Sequence, residues 1–420
     1  MTHKDAMVDD DEAVKQPSVE KNVEDDEEDE VEKEEPRNHL LQLGQLKYKL
    51  RIVAAGDESV SAEAAQEARD EALELVKEHR MPQEYIAVCE LLEQTPNAEL
   101  VAEMKRKNEE ELAKIDEEVA KTQEEEGESE VQEQLFKRAK FLAGIGRHEA
   151  AHEALVATLE KTVGNSSRLT VVFEQIRLAL AWHDWERLTP FMDTAEKLAD
   201  EGGDWEQRNR LKVYRAVHAL VRRDLDCASE LFVDALQTFS ATELMSHSDL
   251  VFYTVVCAVL CLPRVQLGKS VVDAPEILQS VDQVPELRSF LYKFHQCDFA
   301  SFFRAMLVIM QRVQQDAYLG AHWRYCLREL RLVAYRQFLA AYRSVRLDAM
   351  ASAFGVGPEF LDEDLARYIA TGRLNAKLDK VKGVVQRFQA DQKNAQFKQV
   401  LTSGDLVLTR IQKLSRVIAL

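Results

Sequence analysis

A few short stretches carry residue types that could do chemistry. RHEAAHEAL places His148, Glu149 and His152 in the H-E-x-x-H order of zinc peptidases. In those enzymes two histidines four apart share a helix face and ligate the metal, and the glutamate serves as base for the zinc-bound water. Glu174 is one of many glutamates that could complete the set. Three features oppose this reading: Gly144 and Gly146 put the run in the exposed first turn of its helix, Arg147 and Glu153 flank it with charge, and Ala151 serves as the small residue of a helical repeat; no metzincin continuation follows His152 either. His148, Glu149 and His152 are therefore read as a chance match. Gly268, Lys269 and Ser270 copy the end of a phosphate loop, but Pro263 stands five residues before Gly268 and no strand leads in. Gly144-x-Gly146 and Gly355-x-Gly357 lack the third glycine of a dinucleotide fingerprint, since Glu149 and Phe360 stand there. Cys257 and Cys261 lie four apart in apolar surroundings and read as core. No catalytic residue, metal ligand or cofactor site is expected.

The elements around these stretches point elsewhere. From Leu347 to Phe388 the hydrophobic period changes twice. Leu347, Met350, Ala351 and Phe354 line one face of a helix that Gly355 can end; Pro358 suits the first turn of a second, lined by Leu361, Leu365, Tyr368 and Ile369 up to Gly372. The period then drops to two. Leu374, Ala376 and Leu378 alternate with Arg373, Asn375 and Lys377, and Val384, Gln386 and Phe388 make a returning strand. Two crossed helices plus a hairpin form a winged helix. An open sheet of this kind has an edge of unpaired backbone groups that another chain can extend. DNA reading by the second helix is disfavoured because Glu359, Asp362, Glu363 and Asp364 outnumber Arg367, while the wing holds Arg373, Lys377, Lys380, Lys382 and Arg387.

Upstream the pattern repeats. The triads Ala151, Leu155, Thr158; Leu188, Met192, Ala195; Ala228, Phe232, Ala235; and Leu267, Val271, Ala274 recur at offsets of 37, 40 and 39 residues, each preceded at −12 by Ala139, Ile176, Ala216 or Val255. Helix pairs of tetratricopeptide type pack this way, and a fifth pair fits Pro285–His295 and Phe299–Val313. Single pairs cannot bury their apolar sides, so the spacing predicts a mostly α, TPR-like right-handed solenoid capped by the winged helix and a C-terminal helix. In that last helix Val407, Ile411, Leu414 and Ile418 form an a/d seam. It either docks on the chain's own body, the reading slightly favoured here, or is offered to helices of other chains.

The domain reading is a disordered acidic tail over 1–38, N-terminal helices over 39–130 including a long charged one (Glu99–Glu126) ended by Gly127, repeats over 131–318, the winged-helix module over 319–392 and the C-terminal helix over 393–420. Residues 1–36 hold 16 acidic side chains against 4 lysines, which accounts for −12 of the net −20, so the body is only mildly acidic. That argues against general affinity for nucleic acid or anionic membrane. Six cysteines without a C-x-x-C pair, and no charged apolar leader, suit reduced thiols in cytoplasm and nucleus. The apolar run from Leu250 to Pro263 is too short for a membrane span, which needs about 20 residues, and reads as a buried helix.

Repeats leading into a winged helix and a terminal helix resemble the PCI family, named for the proteasome lid, the COP9 signalosome and translation initiation factor 3. EGGDWEQRNRLKVY (201–214), AFGVGPEFLDEDLARYIATGRLNAKLDKV (353–381) and GDLVLTRIQKLSRVI (404–418) are similar to its proteasome-lid members. The resemblance covers about residues 40–420 and leaves out the tail. It implies a non-catalytic scaffold in ubiquitin-dependent degradation, whose winged helix pairs side by side with those of other lid PCI subunits and whose last helix joins a common bundle. It further implies contacts with the small acidic lid subunit, with the lid deubiquitinase pair through that bundle, and with the ATPase ring. The interface residues expected are Leu374, Ala376, Leu378, Val384 and Phe388 at the sheet, and Val407, Ile411, Leu414 and Ile418 in the helix. Alternatives are a COP9 signalosome scaffold, a winged-helix nucleic-acid binder, or a zinc peptidase through HEAAH.

Overall fold

The computed structural model describes residues 38–56, 60–125, 128–281, 284–387 and 392–418. The expected acidic tail up to Arg37, the expected helix stop Gly127 and the expected interface residue Phe388 lie outside the described residues.

The chain begins with α1 (His39–Ala54), α2 (Ala62–Glu78), α3 (Pro82–Leu91) and the long α4 (Ala98–Glu125). Helix α4 lies against neighbours along one narrow face: Val101, Met104, Asn108, Val119 and Thr122 are buried, and α4 packs on α3 and on α5 (Glu128–Gly144). Helix pairs follow, with α6 (His148–Lys161) on α5, α7 (Asn165–Ala181) on α8 (Trp185–Gly202), and α9 (Trp205–Val221) on α10 (Leu225–Ala235). Every residue of the first three triads is buried, as are Ala139, Ile176, Ala216 and Val255 twelve positions before each triad. Small and apolar side chains at 0, +4 and +7 put one stripe of each second helix against its partner, which is why the spacing is readable.

The turns inside the pairs repeat as well. Gly146, His183, Arg223 and Cys297 take left-handed φ values of 78°, 57°, 62° and 64°. In the last three an aspartate comes next, and the side chains of Asp184, Asp224 and Asp298 accept from the backbone N–H of Arg187, Cys227 and Ser301 at 3.2–3.3 Å. A left-handed residue stops one helix and an aspartate starts the next, a device of one residue each.

The fourth pair departs from expectation. After α11 (His247–Cys261), fully sheltered over Leu250–Val259, the second helix is broken into α12 (Arg264–Leu267), a π-turn over Gly268–Val272, and α13 (Pro275–Val281). Leu267 and Val271 are buried, whereas Ala274 is only half-buried and non-helical. Pro263, Gly268 and Pro275 supply the physical reason, since prolines start helices and cannot continue them. The fifth pair, α14 (Pro285–His295) and α15 (Phe299–Gln315), is regular. Among the described residues no helix is long and apolar enough to cross a membrane.

Helix α1 occupies an unforeseen place. It lies against α2, α3, α7 and α15 with Leu40, Leu41, Leu43, Leu46 and Leu50 all buried, so it is enclosed on more than one side. Gly44 permits this approach: a β-carbon there would stand 2.8 Å from the Ala181 carbonyl oxygen. Gln45 Oε1 accepts from Ala317 N at 2.9 Å, which ties α1 to the end of α15 across 272 residues.

The chain closes with α16 (Trp323–Ala340), β1 (Ser344–Arg346), α17 (Leu347–Phe354), α18 (Pro358–Ala370), β2 (Ala376–Asp379), β3 (Val384–Arg387) and α19 (Gln392–Ile418). Gly355 ends α17 at φ 66°, and Gly372 and Gly383 are likewise left-handed, as the turns require. The sheet order is β1-β3-β2, antiparallel throughout, with Val345↔Val385 and Leu378↔Val385 on the inner face. Phe354 of α17 sits in a cage of Phe299, Phe303, Tyr335 and Phe338 from α15 and α16, with ring centroids 4.9–5.3 Å apart. The winged helix is thereby fixed to the solenoid through one continuous core. The architecture is a mostly α helical solenoid with a winged-helix cap and a terminal helix.

Candidate functional site

The HEAAH residues are each engaged with protein. His148 Nε2 lies 2.8 Å from Glu84 Oε1 and its ring lies tilted against Trp182 with centroids 3.7 Å apart; Glu149 pairs with Arg187 at 3.3 Å; His152 faces Phe191 at 5.6 Å. Glu84 also takes Lys47 Nζ at 2.5 Å. Burial pushes the Glu84 carboxyl up, but the His148 hydrogen bond and the Lys47 ammonium outweigh it and hold it at about 2. Among the described residues no group of three or more His, Cys, Asp or Glu is placed to hold a metal. Elemental analysis of the purified chain is expected to find less than a tenth of an equivalent of zinc, on the order of the adventitious level, and no change in His148→Ala. Gly268, Lys269 and Ser270 lie in the π-turn with no strand before them.

The stretch NRLKVY forms a buried polar network in the solenoid. Arg177 reaches Glu174 at 2.5 Å and Glu243 at 3.4 Å, Arg210 reaches Glu243 at 3.5 Å, and Tyr214 donates to Glu243 at 3.1 Å. Burial alone would pull the Arg177 guanidinium down; Tyr214, Glu174 and Glu243 reverse this and raise it above its ordinary value. Three elements, α7, α9 and the loop after α10, are joined by this cluster.

The sheet offers two outer strands. Val384 lies on the central strand, opposite Arg346 on one side and Asp379 on the other, so its backbone is not at an edge, contrary to the expectation for the hairpin. The reason is β1, a three-residue strand too short to leave an alternating signal. Leu374 and Ala376 are each 6 % exposed and Leu378 is half-buried, which commits these side chains to the module's own core. A partner strand at β2 would meet backbone groups and Lys377. On α18, Asp364 does not face outward as expected: it is buried and held by Arg331 at 3.2 Å and the Tyr335 hydroxyl at 3.2 Å. Asp362 and Glu363 pair with Lys380 and Arg367.

Helix α19 overturns the favoured reading of its seam. It is 27 residues long, about 40 Å, and every residue whose exposure is described is exposed. Val407, Ile411, Leu414 and Ile418 are 52, 57, 63 and 76 % exposed. The apolar surface is larger than the seam. At about 100° per residue, Phe397, Val400, Leu401, Val407, Leu408, Ile411, Leu414 and Ile418 fall in one sector about 140° wide, with Leu406 and Val417 outside it. That is wider than the contact of two helices, and a continuous apolar strip of this size on a water-facing helix marks an interaction site. Strict a/d spacing picks out only the four seam residues and passes over the rest of the sector.

Comparison with known proteins agrees with this layout. Residues 97–270 match the family described as 26S proteasome subunit RPN7, residues 306–389 match the PCI domain, and residues 398–418 match the 26S proteasome regulatory subunit RPN7/PSMD6 C-terminal helix. The 26S proteasome non-ATPase regulatory subunit 6 homolog of Arabidopsis thaliana is 40 % identical over 352 residues, covering 84 % of this chain and 91 % of the relative. The 26S proteasome non-ATPase regulatory subunit 6 of Oryza sativa subsp. japonica is 41 % identical over 324 residues, covering 77 % and 83 %. The 26S proteasome regulatory subunit RPN7 of Saccharomyces cerevisiae is 30 % identical over 386 residues, covering 86 % and 90 %.

Proposed function

The chain belongs to the family of 26S proteasome non-ATPase regulatory subunit 6, also described as subunit RPN7, and from that premise we propose that it is a non-catalytic scaffold of the regulatory-particle lid. One observation carries this: α19 stands clear of its own body with a broad apolar sector uncovered. The sector is the surface on which helices of other lid subunits, the deubiquitinase pair among them, gather into a bundle. The outer strands β1 and β2 give side-by-side contact to the winged helices of neighbouring PCI subunits, with β2 (Ala376–Asp379) as the edge of the expected hairpin. Leu374, Ala376, Leu378 and Val384 shape that edge from within. The small acidic lid subunit and the ATPase ring are further partners in this reading, and cytoplasm and nucleus its compartments.

The chemistry of the interior supports an adhesive part over a reactive one. Where titratable groups converge, in the Glu84–His148–Lys47 cluster and the Arg177–Glu243 network, opposite charges pair with each other. Native purification of the tagged chain, followed by mass spectrometry of co-eluting proteins, is expected to recover proteasome regulatory subunits at about equal stoichiometry, as for a stable multi-subunit interface. Recovery of the chain alone, or of signalosome subunits, overturns the proposal.

A further inference from the structure

Two half-buried histidines, each with a buried ring nitrogen, fasten α1 to the solenoid. His39 opens α1, and its ring stacks on that of His79 at the end of α2, with centroids 3.9 Å apart and planes 14° from parallel. His39 Nε2 is buried with no side-chain partner, and the nearest backbone acceptor is the Gly144 carbonyl of α5. The other charged group facing this ring is Glu174 of α7, already engaged by Lys140 of α5 at 3.4 Å and by Arg177 at 2.5 Å; the Gly144 carbonyl of α5 lies nearby. His183, in the turn after α7, is the second. Its Nε2 is also buried and unpartnered, and Lys47 and Arg51 of α1 both face it, with Tyr48 of α1 and Trp185 of α8 alongside.

A proton added to His183 meets two cations; one added to His39 meets the His79 ring and a Glu174 carboxylate already engaged by Lys140 and Arg177, and the Gly144 carbonyl and Glu174 offset only part of the cost of burial. At His39 it creates a cation stacked on a second imidazole; at His183 it creates a third cation beside Lys47 and Arg51. We propose that α1 is a pH-sensitive fastening: mild acidification releases this helix from the solenoid while the winged-helix module stays folded.

The sign follows from linkage. Burial first, then His79 or the two α1 cations, lowers each ring to about 4 in the folded chain. Released α1 leaves both rings near their ordinary value of about 6.5, so the released form binds more protons between the two values. The fastening is complete above about pH 6.5 and weakens as pH falls toward 4, with each histidine raising the opening constant up to about tenfold per unit. The Lys47–Glu84 tie does not loosen in this window, because Glu84 keeps its charge down to about 2. The inference is independent of the assembly reading, since it concerns the isolated chain.

Hydrogen exchange of the full chain, corrected for the intrinsic pH dependence of exchange, tests it between about pH 7 and pH 5. The opening constant of α1 amides is expected to rise by up to about a hundredfold per pH unit, while that of α16 stays level. His183→Asn, which keeps a residue tolerant of the left-handed backbone, and His39→Gln should each remove up to about tenfold per unit from the α1 slope. Equal slopes in α1 and α16 of the unaltered chain overturn the proposal without any variant. So does an α1 slope that the two substitutions leave unchanged.

Discussion

A chain carrying Ile411→Asp and Leu414→Asp is expected to fold normally and to be missing from the assembled particle. Both side chains are more than half exposed in the free chain, so exchanging them removes little packing and should leave the melting midpoint within about 1 °C. In the assembly each would be covered. Burying a leucine or isoleucine contributes about 1.5–3 kcal/mol, and a carboxylate in its place adds a desolvation penalty, so the pair should weaken incorporation by well over about a hundredfold. Native gels of lid intermediates from cells expressing the variant read the outcome directly. Removing residues 405–420 is the coarser version of the same experiment. Full incorporation of either chain would show that α19 is not an assembly element.

The second large effect is expected inside the solenoid. Arg177→Met leaves Glu174 and Glu243 facing each other in a site where their side chains are 13 and 9 % exposed. Breaking a buried pair by removing one partner costs about 3–5 kcal/mol, and because Lys140 stays on Glu174 while Arg210 and Tyr214 stay on Glu243, the loss is expected at the lower end, about 3 kcal/mol. Urea unfolding should show the loss, and hydrogen exchange should place it in α7 and α9, whose side chains meet in the cluster. Adding Glu243→Gln to Arg177→Met should recover part of the stability, since one of the two carboxylates that shared Arg177 is then neutral. If the double substitution is no better than the single one, the cost lies in lost packing of the arginine stem and not in charge.

The repeats are legible in the sequence because their signal is local and periodic. Ala151, Leu155 and Thr158 lie on one face of one helix, and nothing distant is needed to infer that the face is buried. The αL–Asp turns are equally periodic but harder to see, because His183, Arg223 and Cys297 stand where glycine is the expected residue. Three features have no local signal. β1 has three residues and exists only because β3 pairs with it. The interior position of α1 depends on Gly44 meeting Ala181 and Gln45 meeting Ala317, contacts separated by more than a hundred residues. Whether α19 docks or stands free is a question about the rest of the surface, which an amphipathic pattern alone cannot answer. The HEAAH run shows the reverse case, in which a local pattern is complete and its surroundings turn it to structural use, with His148 serving Glu84 and Glu149 serving Arg187.

The sheet's two borders are made by unlike strands, β1 with Ser344, Val345 and Arg346 and β2 with Ala376, Lys377, Leu378 and Asp379. In the proposed side-by-side contact such a module would have a direction and a valence of two. Joined border to opposite border, such modules form a row whose members are all oriented alike, and each end of the row keeps one unlike border open. Nothing within a single member says where such a row must stop, so its length would be decided by the chains that sit at the ends.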